Sequence, residues 1–202
     1  GSYACRGLTA YSALKKANLE KGQNNVVIIS AGGLGLLSLK IIQAAYSINP
    51  IVVDINDEKL ELAKKAGASA VLNSNDEKIY EKIAELTDGG ATSVIDFVGA
   101  SETFELASGM FGMKRGGTYV IVGLIGGQTN LQLPMTTLTA RTIRGVYVGS
   151  LQEMEELMQL VRENKIDHLK VEKRNASEAN KTLNDLKNGK INGLVCLTHD
   201  HE

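Results

Sequence analysis

Tryptophan is absent from the 202 residues, proline and cysteine occur twice each, and aromatic side chains make up only 4% of the chain. Cys5 and Cys196 stand almost a whole chain apart, whereas a secreted disulfide scaffold is denser in cysteine, so a reducing cytoplasm is expected. No apolar run reaches the roughly 18 residues that a membrane span needs. Charge of one sign is missing too: 22 basic side chains face 23 acidic ones, and no long-range field gathers nucleic acid or an anionic membrane surface. The sequons at Asn175 and Asn180 are read as chance, because nothing at the front resembles a secretory signal. A phosphate loop ending Gly-Lys-Ser/Thr is absent, since Gly189-Lys190 is followed by Ile191, and nucleotide hydrolysis loses its support. The length suits one domain with an appendage, and 43% hydrophobic with 22% charged residues is ordinary globular composition. The chain opens Gly1-Ser2 without an initiator Met, which leads to the expectation of a piece cut from a longer polypeptide.

Glycine is plentiful, at 21 residues, or about 10% against a usual ~7%. The glycines punctuate apolar runs. Val26-Val27-Ile28-Ile29 stops at a glycine cluster, and residues 34–45 then carry apolar side chains at helical spacing. This is strand, tight turn, helix. The unit recurs with strands at 51–53, 70–72 and 93–97 and helices at 57–65, 77–86 and 102–111; strands at 118–122 and 142–148 and a helix at 152–163 follow. Strands apolar on both faces and separated by amphipathic helices predict a six-stranded, doubly wound parallel α/β sheet of the Rossmann type. Residues 1–19 form a lead-in with a helix at 8–19, residues 20–165 the main domain, and residues 166–202 a tail with a strand from Lys170, a helix at 177–186 and a strand at 194–197.

Ser30-Ala31-Gly32-Gly33-Leu34-Gly35 lies where a dinucleotide turn belongs, after the first strand and opening the first helix. Glycine is needed there because a Cβ holds the backbone away from a pyrophosphate, while the helix N-terminus offers free N–H groups and a positive dipole end. Asp54 closes the second strand 19 positions after Gly35, near the ~20 expected of a carboxylate that accepts ribose hydroxyls. A 2′-phosphate meets like charge at that point and no arginine follows to receive it, so NAD is preferred over NADP. A tight turn in any parallel sheet and an S-adenosylmethionine site share these features and stay open as readings.

Beyond the turn, further segments resemble the zinc-containing medium-chain alcohol dehydrogenases, specifically their NAD-binding half. Cys5-Arg6-Gly7-Leu8-Thr9-Ala10-Tyr11-Ser12-Ala13-Leu14-Lys15-Lys16-Ala17 is similar to the family's stretch entering the cofactor domain. Val53-Asp54-Ile55-Asn56 with Lys59, then Ala66-Gly67-Ala68, resembles its ribose-binding segment; Gly116 to Leu124 and Arg144 to Ser150 resemble its fifth and sixth strands. The resemblance implies NAD held by Gly32, Gly33, Leu34, Gly35, Asp54 and Lys59. It also implies Val98 and Gly99 on the adenine side, Val122, Gly123 and Leu124 around the nicotinamide, and Val146, Tyr147 and Val148 near the carboxamide. Thr9 matches a catalytic position near the nicotinamide. Cys5 matches a ligand of the catalytic zinc, although one thiolate cannot assemble a tetrahedral site. An upstream catalytic domain, with the other ligands and much of the alcohol or aldehyde pocket, is implied as missing.

Two departures stand out. Ser30 replaces the usual first glycine, and Gly193-Leu194 stands where many members carry Gly-Arg, an arginine on the pyrophosphate; its loss weakens cofactor binding by about 1–3 kcal/mol if nothing replaces it. Tyr11 and Lys15 fit the Tyr-x-x-x-Lys pair of short-chain dehydrogenases only superficially, because they precede the glycine turn. The histidines His168, His199 and His201 all come late, and the last two lie in a solvated terminal tail. Three functions follow: the cofactor-binding portion of an NAD- and zinc-dependent alcohol dehydrogenase, inactive alone; a stand-alone NAD-binding sensor or scaffold module; or an S-adenosylmethionine-dependent methyltransferase. An apolar edge strand at 142–148 predicts a homodimer or larger assembly.

Overall fold

The computed structural model describes residues 3–23, 25–109, 113–163, 165–166, 171–191 and 194–199. It contains two compact units, Gly1–Ile166 and Asp167–Glu202. In the first unit a π-helical turn at Tyr3–Gly7 leads into α1 (Leu8–Lys16). There follow β1 (Val26–Ile29), α2 (Gly33–Tyr46), β2 (Ile51–Asp54), α3 (Asp57–Lys65), β3 (Ala70–Asn73), α4 (Ile79–Leu86), β4 (Ala91–Asp96) and α5 (Ser101–Ser108). The unit closes with β5 (Met113–Ile121), α6 (Leu133–Thr139), β6 (Thr142–Gly145) and α7 (Leu151–Arg162). The strands are all parallel and lie in the order β3-β2-β1-β4-β5-β6, the doubly wound architecture.

Burial explains why these runs became strands. All four residues of β1 are buried, and along β1, β2 and β4 alternate side chains supply opposite faces of the sheet. Val27, Ile29, Val53, Val94 and Tyr119 share one core cluster with Ile79 and Ile83 of α4 and Leu106 and Ala107 of α5. Ile28, Ile95 and, from α1 and α2, Leu14, Leu37 and Ile41 are also buried. Local signals fix the helix ends. The Asn56 side chain accepts the Lys59 N–H at 3.0 Å to cap α3, and Gly67, at φ +96°, follows its last turn. Ser150 and Glu153 form a reciprocal capping box on α7. Lys15 and the Tyr11 hydroxyl both donate to Glu156, and Lys16 reaches Glu153 at 3.4 Å, which fastens α1 to α7.

Several boundaries differ from the sequence expectation. The edge strand expected over 142–148 ends at Gly145; only the Val146 N–H continues toward β5, reaching the Ile121 carbonyl at 2.9 Å, and Val148 turns into the left-handed region at φ +57°. The helix expected over 8–19 stops at Lys16, just ahead of Asn18 at φ +54°. The helix expected to run to Phe111 ends at Ser108, and Phe111 itself lies outside the described residues. Helix α6 was not anticipated, because its Thr-rich turn opened by Pro134 has no apolar stripe of helical period.

The second unit holds a parallel pair, β7 (Val171–Asn175) and β8 (Leu194–Thr198), joined through a 3₁₀ turn at Ala176–Glu178 and α8 (Ala179–Lys187). Arg174 bonds Glu172 and Asp185 at 2.7 and 2.9 Å within it. Lys170, His168, Gly193, His201 and Glu202 lie outside the described residues.

Candidate functional site

Sheet order reverses between β1 and β4, so the connections leaving their C-terminal ends part to opposite sides and open a crevice. A cleft of about 560 Å³ lies there, bounded by Ser30 after β1, Asp54 at the end of β2, Val98 and Ala100 after β4, Ile79 of α4 and Thr103 of α5.

The glycine turn meets this cleft through Ser30 alone; Gly32, Gly33, Leu34 and Gly35, like Lys59, are not among its lining residues. Ser30, at φ +100°, holds a conformation that suits glycine far better than serine, and its N–H bonds the Val53 carbonyl at 2.8 Å. A Cβ on Gly35 would stand 1.8 Å from the Ser30 carbonyl oxygen, so only glycine lets α2 start this close to β1. The Ser30 hydroxyl accepts the Gly32 N–H at 3.1 Å, and Asp54 Oδ2 accepts the Ala31 N–H at 2.7 Å. The next amides, of Gly33, Leu34 and Gly35, are first-turn donors with no acceptor inside the helix. Asp54 is half-buried, and its other oxygen accepts the Asn56 N–H at 3.0 Å. Each carboxylate oxygen keeps a second acceptor position, which leaves room for sugar hydroxyls on the cleft side. Lys59 sits half-buried in the first turn of α3.

Two backbone turns meet after β4 and β5. Gly99, at φ +67°, approaches so closely that a Cβ there would lie 2.1 Å from the Gly123 carbonyl oxygen, and a Cβ on Gly123 would lie 2.1 Å from the Val98 carbonyl carbon. The Ile125 and Gly126 amides bond the Val98 and Gly99 carbonyls at 3.2 and 3.0 Å. Val98, Gly99, Val122 and Gly123 are therefore brought together. Val122 and Val146 are buried at the ends of β5 and β6, whereas Leu124 and Tyr147 are 80% and 83% exposed, and neither they nor Val148 line the cleft.

The expected metal and catalytic positions sit apart, on the lead-in. Cys5 is exposed in the π-helical turn, and the Thr9 hydroxyl donates to its carbonyl at 2.7 Å. Among the described residues no group of three or more His, Cys, Asp or Glu side chains could hold a metal ion. Cys5, one exposed thiol, does not make up a zinc site by itself.

Sequence reasoning passed over much of the cleft wall, including Asn75, Tyr80, Glu102 and Glu105. It also passed over Asp96, which is fully buried, although an acid directly after the apolar pair Val94-Ile95 at the end of a strand was the available signal.

A parallel sheet in this order, with a glycine turn after its first strand and an acid after its second, defines the Rossmann class of doubly wound domains. The family model described as zinc-binding dehydrogenase matches residues 33–163, more than half of the chain, and the chain belongs to that family. It is 33% identical over 194 residues to an NAD-dependent alcohol dehydrogenase of Sulfurisphaera tokodaii, an alignment covering 96% of this chain and 55% of the relative. The solved alcohol dehydrogenase of Aeropyrum pernix superimposes with a TM-score of 0.85 at 30% identity, over 96% of this chain and 56% of that one. Acetophenone reductase from Geotrichum candidum, solved in complex with NAD, gives a TM-score of 0.78 at 25% identity, over 97% and 54%. The chain thus spans about half the length of the relatives it matches.

Proposed function

We propose that this chain is the cofactor-binding portion of an NAD-dependent alcohol dehydrogenase, whose parent transfers hydride between an alcohol or aldehyde and the nicotinamide. The observation that carries the reading is Asp54: a cleft-lining carboxylate already bonded to the Ala31 amide of the glycine turn. Diphosphate oxygens would take the amides of Gly33, Leu34 and Gly35, with Gly32 allowing close approach, and the ribose hydroxyls would take Asp54 and Lys59. Val98 and Gly99 would border the adenine side, Val122, Gly123 and Leu124 the nicotinamide, and Val146, Tyr147 and Val148 its carboxamide. Thr9 would stand near the reacting ring. Cys5 would contribute one zinc ligand in the parent, a role that rests on family membership alone. With most of the metal ligands and much of the substrate pocket assigned to residues beyond this chain, the fragment binds cofactor without turnover.

Calorimetric titration of the chain with NAD⁺, NADP⁺ and S-adenosylmethionine tests this. Saturable NAD⁺ binding with NADP⁺ at least about tenfold weaker is expected, because a 2′-phosphate meets the Asp54 charge. Binding of S-adenosylmethionine alone would overturn the reading. Asp54→Asn should narrow the preference between the two dinucleotides.

Two further proposals accompany it. The parent acts in the cytoplasm; among the described residues no helix is long and apolar enough to cross a membrane. A second copy docks along β6, since among the described residues this strand pairs on one side only, with β5.

A further inference from the structure

Asp96 belongs to none of the roles above, yet it lies at the C-terminal end of β4, beside the point where the sheet order reverses, with 0% of its surface exposed. Its Oδ1 accepts the Val98 and Gly99 N–H groups at 2.8 and 3.1 Å. Its Oδ2 accepts the Thr103 and Tyr119 hydroxyls, each at 2.6 Å. Four donors thus converge on the two oxygens of one side chain. Its main-chain carbonyl accepts two more, the Val122 and Gly123 N–H groups at 2.9 and 3.1 Å.

The partners hold their donor roles for stated reasons. Burial first, then the adjacent Asp96 charge, keeps the Tyr119 hydroxyl protonated far above the ordinary tyrosine range. The Tyr119 ring is fixed edge-on against Phe104, with centroids 5.6 Å apart. Having given its proton to Asp96, the Thr103 hydroxyl accepts the Ala100 N–H at 3.0 Å, which ties the start of α5 to the same acid. Val98, Ala100 and Thr103 all line the large cleft. The turns after β4 and β5 touch through Gly99 and Gly123 with no space for even a methyl group, so a shift in one displaces the other.

We propose that Asp96 is a positioning residue for the dinucleotide: its carboxylate sets the 97–100 turn on the adenosine side while its carbonyl sets the 122–123 turn on the nicotinamide side. It touches neither end of the cofactor and acts through the backbone it holds. The inference rests on the NAD reading of the cleft.

The test compares NAD⁺ affinity by calorimetry in the wild-type chain, Tyr119→Phe, Asp96→Asn, Thr103→Val and Thr103→Ser, at a temperature where circular dichroism reports each as folded. Tyr119→Phe keeps the ring and removes one donor, and about threefold weaker binding is expected. Asp96→Asn cannot accept from all four groups, and about tenfold weaker binding is expected. Thr103→Val should weaken binding and Thr103→Ser restore it. Leu157→Ala, in the core of α7, serves as a control that should lower the melting temperature and leave the NAD⁺ dissociation constant unchanged. In Tyr119→Phe the amide resonances of both Gly99 and Gly123 should move. Wild-type affinity in Tyr119→Phe and Thr103→Val overturns the proposal, as does an equal loss in Leu157→Ala. If Asp96→Asn does not fold, those two variants decide. A wild-type chain without saturable NAD⁺ binding removes the cofactor reading itself and this proposal with it; wild-type binding that the variants leave untouched removes only the proposal.

Discussion

Apolar side chains in the inner half of the sheet and at its α6–β6 edge are covered quite differently. In the inner half Ile28 and Ile95 are each at 0% exposure, as is Ile41 of the covering helix α2. At the edge, α6 buries none of its residues: Leu133 is 70% exposed, Leu138 67% and Ile143 of β6 39%. Apolar side chains alone therefore do not make a core. Each inner strand is followed by a helix that buries apolar side chains, whereas β5 is followed by the seven residues of α6, which bury none. Exposed apolar residues gathered in one region support docking by another surface, here proposed as a second copy of the chain.

The contrast is sharpest where backbone meets backbone. Gly35→Ala places a methyl group 1.8 Å from the Ser30 carbonyl oxygen, an atom with no freedom to swing aside. Loss of the cooperative thermal transition, or a drop of more than about 3 kcal/mol in stability, is expected, together with loss of NAD⁺ binding. A variant that melts normally would show that the turn after β1 has slack.

Next in size is a matched pair of truncations. Ile41→Ala in the inner half should cost about 3 kcal/mol through lost burial and an unfilled cavity, whereas Leu138→Ala at the edge should cost under about 0.5 kcal/mol in dilute protein. Urea denaturation of both decides it; equal losses would mean that α6 is covered in solution. Ile143→Asp probes that cover from the other direction. It should leave the melting temperature of the dilute chain within a few degrees of wild type while shifting sedimentation at micromolar concentration from dimer to monomer, and an unchanged assembly would move the interface away from β6.

The same contrast sets what could be read from sequence. Strands β1 and β2 and helix α3 announce themselves, because near-complete burial on both faces leaves a run of Val and Ile, and caps such as Asn56 and Gly67 mark helix ends. The edge gives weaker signals: nothing in Val146, Tyr147 or Val148 reveals that the chain bends into the left-handed region at Val148 and ends the strand early. In the crevice, glycine spacing located the turn after β1 and the acid after β2. It could not reveal that Ser30 accepts φ +100° or that its hydroxyl turns inward onto the Gly32 amide, since both follow from the packing of Gly35 against Ser30. Asp96 escaped for a similar reason. Three of its partners lie just ahead in the turn after β4 and in α5, but the fourth, the Tyr119 hydroxyl of β5, is 23 residues on, and that pairing has no periodic trace.

A similarly small effect is expected at the seam between α1 and α7, which is neither core nor open edge. Glu156 accepts Lys15 Nζ at 2.6 Å and the Tyr11 hydroxyl at 2.8 Å, with about a third of its side chain exposed. The hydrogen bond from Lys15, and after it that from Tyr11, holds the Glu156 carboxyl below its usual range. A carboxylate depressed in the folded state stabilises fully above its unfolded value and loses that contribution as pH falls through the folded value. Glu156→Gln should therefore lower stability by about 0.5 kcal/mol at neutral pH, a figure held down by solvent screening, and the difference from wild type should shrink as pH drops below about 4.5. Melting temperatures recorded from pH 7 to pH 3 read this directly. Curves that stay parallel to the acid end would mean that the seam is held by burial of apolar side chains such as Leu8 and Leu157 rather than by its charges.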